Sequence, residues 1–169
     1  AYAGRGPYPV GTLEIDAPNG PITVWYPGEP GSEAGAAPAT YDMRTYLPPA
    51  EQAKVAAAND IVFTTDAFTD LPAAEPESRP FPLVLFSHGS CGYPLQSIFL
   101  TALLASQGFV VIAPPHPGNP INEFPTCGTS GAQVNSFLER PQDVIFVLDQ
   151  MLAENANPVS PFFAALDPD

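Results

Sequence analysis

The sequence predicts an α/β protein, because a strand–helix–strand unit stands near the middle of the chain. Residues 81–86 form a nearly continuous apolar run that stops at Ser87-His-Gly, which is typical of a buried parallel strand ending in a turn. Residues 97–107 have the apolar spacing of a helix that ends before Gly108, and residues 109–114 form a second buried strand. Such units have a right-handed crossover in almost all cases.

The loops that follow these two strands are the candidate functional region. Residues 88–93 are rich in small side chains, and residues 115–120 are rich in proline. Ligands of open parallel sheets bind beyond the carboxyl ends of the strands. The candidate substrate-binding residues in these two loops are Gly89, Cys91, Tyr93 and His116.

Shorter elements are expected before the central unit. Residues 10–15 and 22–26 predict an antiparallel hairpin with Asn-Gly in its turn, at an edge of the sheet. Residues 50–58 predict a short helix that begins after two prolines. The stretches 29–40 and 61–79 are rich in glycine, alanine, proline or acidic residues and predict loops.

The last element is a helix expected to begin near Arg140, with Pro141 in its first position. Ser136 and Glu139 have the spacing of a capping box, but Pro141 would break a helix that starts there. Apolar residues at positions 144, 147, 148 and 151 predict packing against the sheet. Asp143 is expected to be a structural residue that compensates the helix dipole near this start.

Composition limits the possible functions. The 169 residues are enough for one domain, with 45% hydrophobic and 14% charged residues. A formal net charge of −13 argues against nucleic acids and anionic membrane surfaces as partners. No run of about 18 apolar residues is present, so no membrane span is predicted. The shortage of Lys and Arg, five in total, favours an exported protein, either secreted or periplasmic.

The two cysteines, Cys91 and Cys127, each follow one of the two central strands. A disulfide between them is one hypothesis and would fit an oxidising compartment. Two free or buried thiols are the alternative. A zinc site formed with His88 and His116 would match no known ligand spacing, so neither a metal nor any other cofactor is predicted.

Five segments together resemble the α/β-hydrolase fold. They are Val24–Pro27, Pro82–Gly89, Gly108–Ile112, His116 and the Arg-Pro-x-Asp sequence of residues 140–143. The closest resemblance is to the platelet-activating-factor acetylhydrolase-like and dienelactone-hydrolase-like esterases, a group that includes bacterial polyester hydrolases. The resemblance implies a mostly parallel sheet with an antiparallel N-terminal hairpin, of which this chain holds only the first half.

The resemblance also implies which part of such an enzyme is missing. In this family the helix after Arg140 is followed by a strand and the nucleophile elbow Gly-x-Ser-x-Gly, which the chain lacks. Residues 1–169 are therefore expected to be the N-terminal part of a single hydrolase domain. The expected partner is a C-terminal fragment of the same precursor, cut after residues 162–163, which carries the Ser-Asp-His triad.

The same resemblance assigns roles to the loop residues. Ester hydrolysis passes through an oxyanion, and one of its two backbone donors follows the strand that ends in His-Gly. The matching donor is the backbone N–H of Ser90. His88 is expected to be structural, because adjacent residues of a strand face opposite ways and a Ser87–His88 dyad is geometrically poor. His116 is expected to form the pocket wall or hold its loop.

Two functions follow from these expectations. The first is a secreted serine esterase that acts on uncharged carboxylic esters, small or polymeric, with this chain inactive alone. The second is a non-catalytic binding module derived from a hydrolase.

Overall fold

A computed structural model describes residues 4–56 and 61–168, which form a mixed six-stranded sheet with helices on both faces. The strands are β1 (Val10–Ile15), β2 (Ile22–Pro27), β3 (Pro38–Asp42), β4 (Val62–Thr69), β5 (Leu83–Leu85) and β6 (Val110–Ala113). The helices are α1 (Pro49–Gln52), α2 (Ile98–Ser106) and α3 (Ser130–Ala156). Single 3-10 turns cover Met43–Tyr46, Pro94–Ser97, Ile121–Glu123 and Thr126–Gly128.

The strand order across the sheet is β3-β4-β1-β2-β6-β5. The pairs β1–β2, β2–β6 and β3–β4 are antiparallel, whereas β1–β4 and β5–β6 are parallel. The α/β class and the N-terminal hairpin are therefore confirmed, and within the described residues the sheet is mixed rather than mostly parallel. The hairpin β1–β2 lies inside the sheet and not at its edge, since β3 and β4 add to its outer side.

Strand β4 occupies a stretch for which the sequence predicted a loop. Its residues include Val62, Phe63 and four threonines or aromatics that favour extended backbone, and the prolines of that stretch come only after it. The strand is mostly exposed, and β3 covers its outer side at the edge of the sheet. The loop prediction for residues 61–79 was wrong for β4, because the prolines on which it rested all follow the strand. Helix α1 is also shorter than predicted, and residues 57 and 58 of that prediction lie outside the described residues.

The predicted strand–helix–strand unit is confirmed. Strand β5 leads through a turn into α2, and β6 returns parallel to β5. Gly108 closes α2 with φ of +96°, a conformation that L side chains rarely adopt. Helix α2 packs on one face of the sheet, where Trp25, Ala105 and Val111 belong to one buried cluster.

Helix α3 covers the opposite face and begins ten residues earlier than predicted. Thr129 caps its start by accepting a hydrogen bond of 3.3 Å from the backbone N–H of Ala132. Pro141 lies inside the helix, not in its first position. Val147 and Met151 are fully buried against the sheet, and this packing offsets the backbone hydrogen bond that proline removes.

The segment after α3 returns to the sheet. Phe162 and Leu166 are buried in the same cluster as Val147, while Phe163 is half exposed. The backbone of Phe81 pairs with this segment, because its N–H donates to Ala165 and its carbonyl accepts from Asp167. The chain beyond α3 therefore forms part of the core.

Candidate functional site

The loops after β5 and β6 meet, as the topology predicted. We call residues 88–92 the β5 turn and residues 115–120 the β6 loop. The backbone N–H of Ile121 donates to the carbonyl of Gly92 at 2.9 Å. A disulfide joins Cys91 to Cys127 with their Cα atoms 5.5 Å apart, which confirms the predicted pairing. Residues that follow both strands line one cleft.

The β5 turn contains a tight turn of four residues, from Gly89 to Gly92. The N–H of Gly92 donates to the carbonyl of Gly89 at 3.0 Å, and Cys91 has φ of +50°. An i to i+3 hydrogen bond with positive φ at the third residue is typical of a type II turn. A Cβ atom at Gly92 would lie 2.4 Å from the side chain of Gln96 and 2.8 Å from the Gly89 carbonyl, so glycine is required there.

The Gly89–Ser90 peptide is held from one side only. Three donors bind the carbonyl of Gly89: the N–H of Gly92 at 3.0 Å, Nδ1 of His88 at 2.8 Å and Nη2 of Arg140 at 3.1 Å. The N–H of Ser90 belongs to the same planar peptide and points the opposite way. Within the described residues it has no hydrogen-bond acceptor, and Ser90 is exposed. This N–H is therefore free to bind a ligand.

His88 is buried beneath the turn, with 2% of its surface exposed. Burial lowers the pKa of His88 to about 4, so the ring is neutral at pH 7. Because Nδ1 faces the Gly89 carbonyl, Nδ1 carries the hydrogen and donates it. The ring of His116 lies 4.9 Å away in an edge-to-face arrangement. Nε2 of His88 is buried and has no hydrogen-bond partner within the described residues, and the structural role of His88 stays a prediction.

Arg140 reaches the same turn from helix α3. All five of its N–H groups are engaged: Nε with Ser136 Oγ at 2.8 Å, Nη1 with Ser87 Oγ at 3.1 Å and with the His88 carbonyl, and Nη2 with the Gly89 carbonyl at 3.1 Å and with Asn119 Oδ1 at 2.7 Å. The sequence analysis identified Arg140 only as part of an expected helix start and of the Arg-Pro-x-Asp segment, with no role of its own. Its contacts are long-range, and no local pattern indicates them.

A second chain of hydrogen bonds joins the ends of β5 and β6. Ser87 Oγ lies 2.8 Å from His116 Nε2, and His116 Nδ1 lies 2.8 Å from Asp143 Oδ2. The carboxylate accepts from Nδ1, so Nε2 of the neutral ring accepts the hydroxyl hydrogen of Ser87. Burial lowers the pKa of His116, and this outweighs the opposing effect of Asp143.

This arrangement corrects one sequence prediction and refines another. Asp143 lies in the middle of α3, so it is not a residue that compensates the dipole at a helix start. It is structural in another way, because it holds the ring of His116. Ser87 does pair with a histidine, but with His116 rather than with the adjacent His88.

A cavity of about 320 Å³ opens beside the two loops. Its walls include His88, Tyr93 and Pro94 from the β5 side and His116 from the β6 loop. The ring of Tyr46 packs 4.8 Å from that of Tyr93. Two aromatic residues near these loops do not line it: Phe124 faces a different depression, and Phe137 is 80% exposed on α3. Gly89, Ser90 and Cys91 lie in the β5 turn but do not line the cavity wall.

Across residues 4–56 and 61–168 no group of three or more His, Cys, Asp or Glu side chains is arranged to hold a metal ion. In the same ranges no helix is both long and apolar enough to cross a membrane.

Comparison with known proteins gives one informative result. No protein-family model and no curated protein matches the chain. A ferulic acid esterase from Streptomyces cinnamoneus has a similar structure, with a TM-score of 0.57 and 28% sequence identity over 99% of this chain and 51% of that chain. The chain has an α/β-hydrolase fold. It spans about half the length of that esterase. The narrower resemblance to acetylhydrolase-like and dienelactone-hydrolase-like enzymes stays a prediction.

Proposed function

We propose that this chain supplies the oxyanion loop and part of the pocket wall of a serine carboxylic ester hydrolase that acts on uncharged esters. In this proposal the catalytic serine, aspartate and histidine lie on the remaining part of the domain, which carries Gly-x-Ser-x-Gly. The similarity to an esterase that is about twice as long supports the reaction type and the division of the domain.

The observation that carries the proposal is the hydrogen bonding of the Gly89–Ser90 peptide group. Its carbonyl is bound by three donors, and its N–H is unpaired and exposed. An unpaired, rigidly directed N–H beyond the end of a parallel strand is what an oxyanion hole requires. The donor is oriented before substrate arrives, so no reorganisation is needed when the charge develops.

The chemistry assigned to Ser90 is the stabilisation of negative charge. When the nucleophilic serine attacks the ester carbonyl, a C–O bond forms and the carbonyl oxygen becomes an oxyanion. The N–H of Ser90 donates to this oxygen together with the N–H of the residue that follows the nucleophile. Losing one such donor costs about 2.7–4 kcal/mol of transition-state stabilisation. The histidine proposed for the remaining part of the domain takes the serine proton and returns it to the alcohol as the C–O bond to the alcohol breaks, and water then hydrolyses the acyl-enzyme.

The cavity favours uncharged substrates. Its described lining includes Glu14 and Glu123 and contains no Lys or Arg. Arg140, the cation nearest to the turn, has no N–H left for an anionic substrate. With a net charge of −13 in addition, anionic esters would be repelled. Tyr93 and His116 present neutral surfaces to a bound acyl or alkoxy group.

We further propose that the protein acts outside the cytoplasm, in a secreted or periplasmic location. The Cys91–Cys127 disulfide supports this, because structural disulfides persist in oxidising compartments. In this proposal the C-terminal part is a second polypeptide from the same precursor. Intact-mass measurement of purified natural protein tests that point, and one continuous longer chain would contradict it.

A serine-reactive fluorophosphonate tests the assignment of the nucleophile. We expect the complete protein to hydrolyse p-nitrophenyl esters and to be labelled once, at the serine of Gly-x-Ser-x-Gly, with no label on residues 1–169. Peptide mapping by mass spectrometry locates the label. A protein without turnover or labelling would instead support the non-catalytic binding module.

A second candidate rests on the Ser87–His116–Asp143 hydrogen bonds, which have the order of a catalytic triad. In that case Ser87, which is exposed, would be the nucleophile. Arg140 Nη1 also donates to Ser87 Oγ, which makes the hydroxyl part of a bound network. A label at Ser87, lost in Ser87→Ala, would establish this candidate and overturn the first.

A further inference from the structure

We propose that Arg140 is a positioning residue for the oxyanion donor, and that its guanidinium fixes the direction of the Ser90 N–H. This inference rests on the proposed function, because it assigns Arg140 a role in the same reaction. Arg140 does not touch the substrate in this scheme. It acts through the two peptide groups of the β5 turn.

The geometry of the peptide groups carries the inference. Arg140 binds the carbonyls of both His88 and Gly89. Each carbonyl shares a rigid plane with the next N–H, which points the opposite way. Fixing the His88 carbonyl directs the N–H of Gly89 to the side chain of Gln96, 3.0 Å away. Fixing the Gly89 carbonyl directs the N–H of Ser90 away from Arg140, to the side where it has no protein acceptor.

The planar guanidinium is itself held in place. Ser136, one helical turn before Arg140, accepts from Nε at 2.8 Å. Asn119, which is fully buried, accepts from Nη2 at 2.7 Å and donates to the carbonyl of Cys127 at 3.3 Å. The side-chain amide of Asn119 also lies 3.4 Å from Ser90 Oγ. The arginine therefore connects α3, the β5 turn and the β6 loop at once.

Asp143 extends the same arrangement from the next turn of α3. Residues three apart lie on one face of a helix, so Arg140 and Asp143 both face the loops. Arg140 donates to Ser87, and Ser87 pairs with His116, which Asp143 holds. The Arg-Pro-x-Asp sequence thus gives one helix face two functions, with Arg140 on the β5 turn and Asp143 on the β6 loop.

Two other roles for Arg140 fit less well. An anion-binding arginine needs free donors, and all five are used within the protein. An ordinary surface ion pair needs a carboxylate, and the acceptors here are two carbonyls, two hydroxyls and one amide. A fork that binds two neighbouring carbonyls is a property of arginine that lysine, as a compact ammonium, does not share.

The experiment compares Arg140→Lys and Arg140→Ala in the complete protein, with Arg79→Ala as the control. Arg79 is an exposed arginine ahead of β5, at the opposite end of that strand. We expect kcat on a p-nitrophenyl ester to fall about 10- to 100-fold in both Arg140 variants, less than the loss of the donor itself, with KM changed little. Added guanidinium ion at a non-denaturing concentration should restore part of kcat in Arg140→Ala only.

The outcomes separate this inference from the proposed function. A parent protein with no esterase activity would contradict the proposed function. An active parent whose Arg140→Lys variant keeps kcat within about threefold would contradict the positioning role alone. Two further results would show that Arg140 only stabilises the fold and would also overturn the inference. The first is a loss of thermal stability with unchanged kcat in the folded fraction. The second is failure of both Arg140 variants to fold while Arg79→Ala folds.

Discussion

Replacing Ser90 with proline removes the proposed oxyanion donor and leaves the turn intact. Ser90 is the second residue of the turn from Gly89 to Gly92, a position where proline is favoured. Other turns among the described residues already have proline in this position, for example at Pro18, Pro117 and Pro158. Because the N–H of Ser90 has no partner within the described residues, its removal costs no hydrogen bond in the folded protein.

The magnitude of the effect follows from these contacts. Ser90→Pro should lower kcat by about 10²–10³-fold, which corresponds to about 2.7–4 kcal/mol for one oxyanion donor. Ser90→Ala keeps the N–H and loses only the 3.4 Å contact between the hydroxyl and Asn119, worth at most about 1 kcal/mol of stability. Its kcat should stay within about tenfold of the parent.

The assay is steady-state hydrolysis of a p-nitrophenyl ester by the complete protein, with thermal unfolding measured in parallel. Equal unfolding temperatures and a lower kcat in Ser90→Pro alone are expected. If Ser90→Pro folds normally and keeps kcat within tenfold of the parent, the oxyanion assignment is wrong. If Ser90→Ala abolishes activity, the hydroxyl and not the N–H is the functional group.

Three further predictions concern stability. Replacing both Cys91 and Cys127 with alanine should lower the free energy of unfolding by about 3–4 kcal/mol, because the disulfide closes a loop between residues 36 positions apart. Two titratable thiols in unreduced, unfolded protein would contradict this prediction. The pKa of His88 is about 4 in the folded protein and about 6.5 in the unfolded chain. Between these pH values the unfolded chain therefore binds more protons than the folded protein. The contribution of His88 to the free energy of unfolding is fully present above pH 6.5 and should be lost as the pH falls towards 4. Denaturant midpoints at pH 7 and pH 4.5 should differ less in His88→Asn, whose amide can replace the Nδ1 donor; an equal difference would exclude His88 as the cause. Pro141→Ala should raise the free energy of unfolding by about 1–3 kcal/mol, since it restores a helical N–H, and a lower denaturant midpoint would refute this.

Much of the fold could be predicted because its signals are local. The apolar runs around β5 and β6, the helical spacing of α2 and the left-handed Gly108 follow from short-range backbone preferences and burial patterns. The candidate loops followed from these, since the topology places both strand ends at one edge of the sheet. Strand β4 was missed because it is exposed and lacks an apolar run, and its extended backbone depends on pairing with β1 and β3.

The sequence by itself determined the α/β class and the turn in which Ser90 lies, and it left the Cys91–Cys127 disulfide as one of two hypotheses. The tertiary structure decided what surrounds that turn. Local backbone preferences predict a helix boundary at Pro141. Helix α3 nevertheless continues through Pro141. It is held by the burial of Val147 and Met151 and by the contacts of Arg140 and Asp143. Hydrogen bonds between residues 51 or more positions apart in the chain, such as those from Arg140 to the β5 turn, leave no periodic signal in the sequence. They form because three elements that are distant in the chain pack at one end of the sheet, where burial makes an unpaired polar group costly.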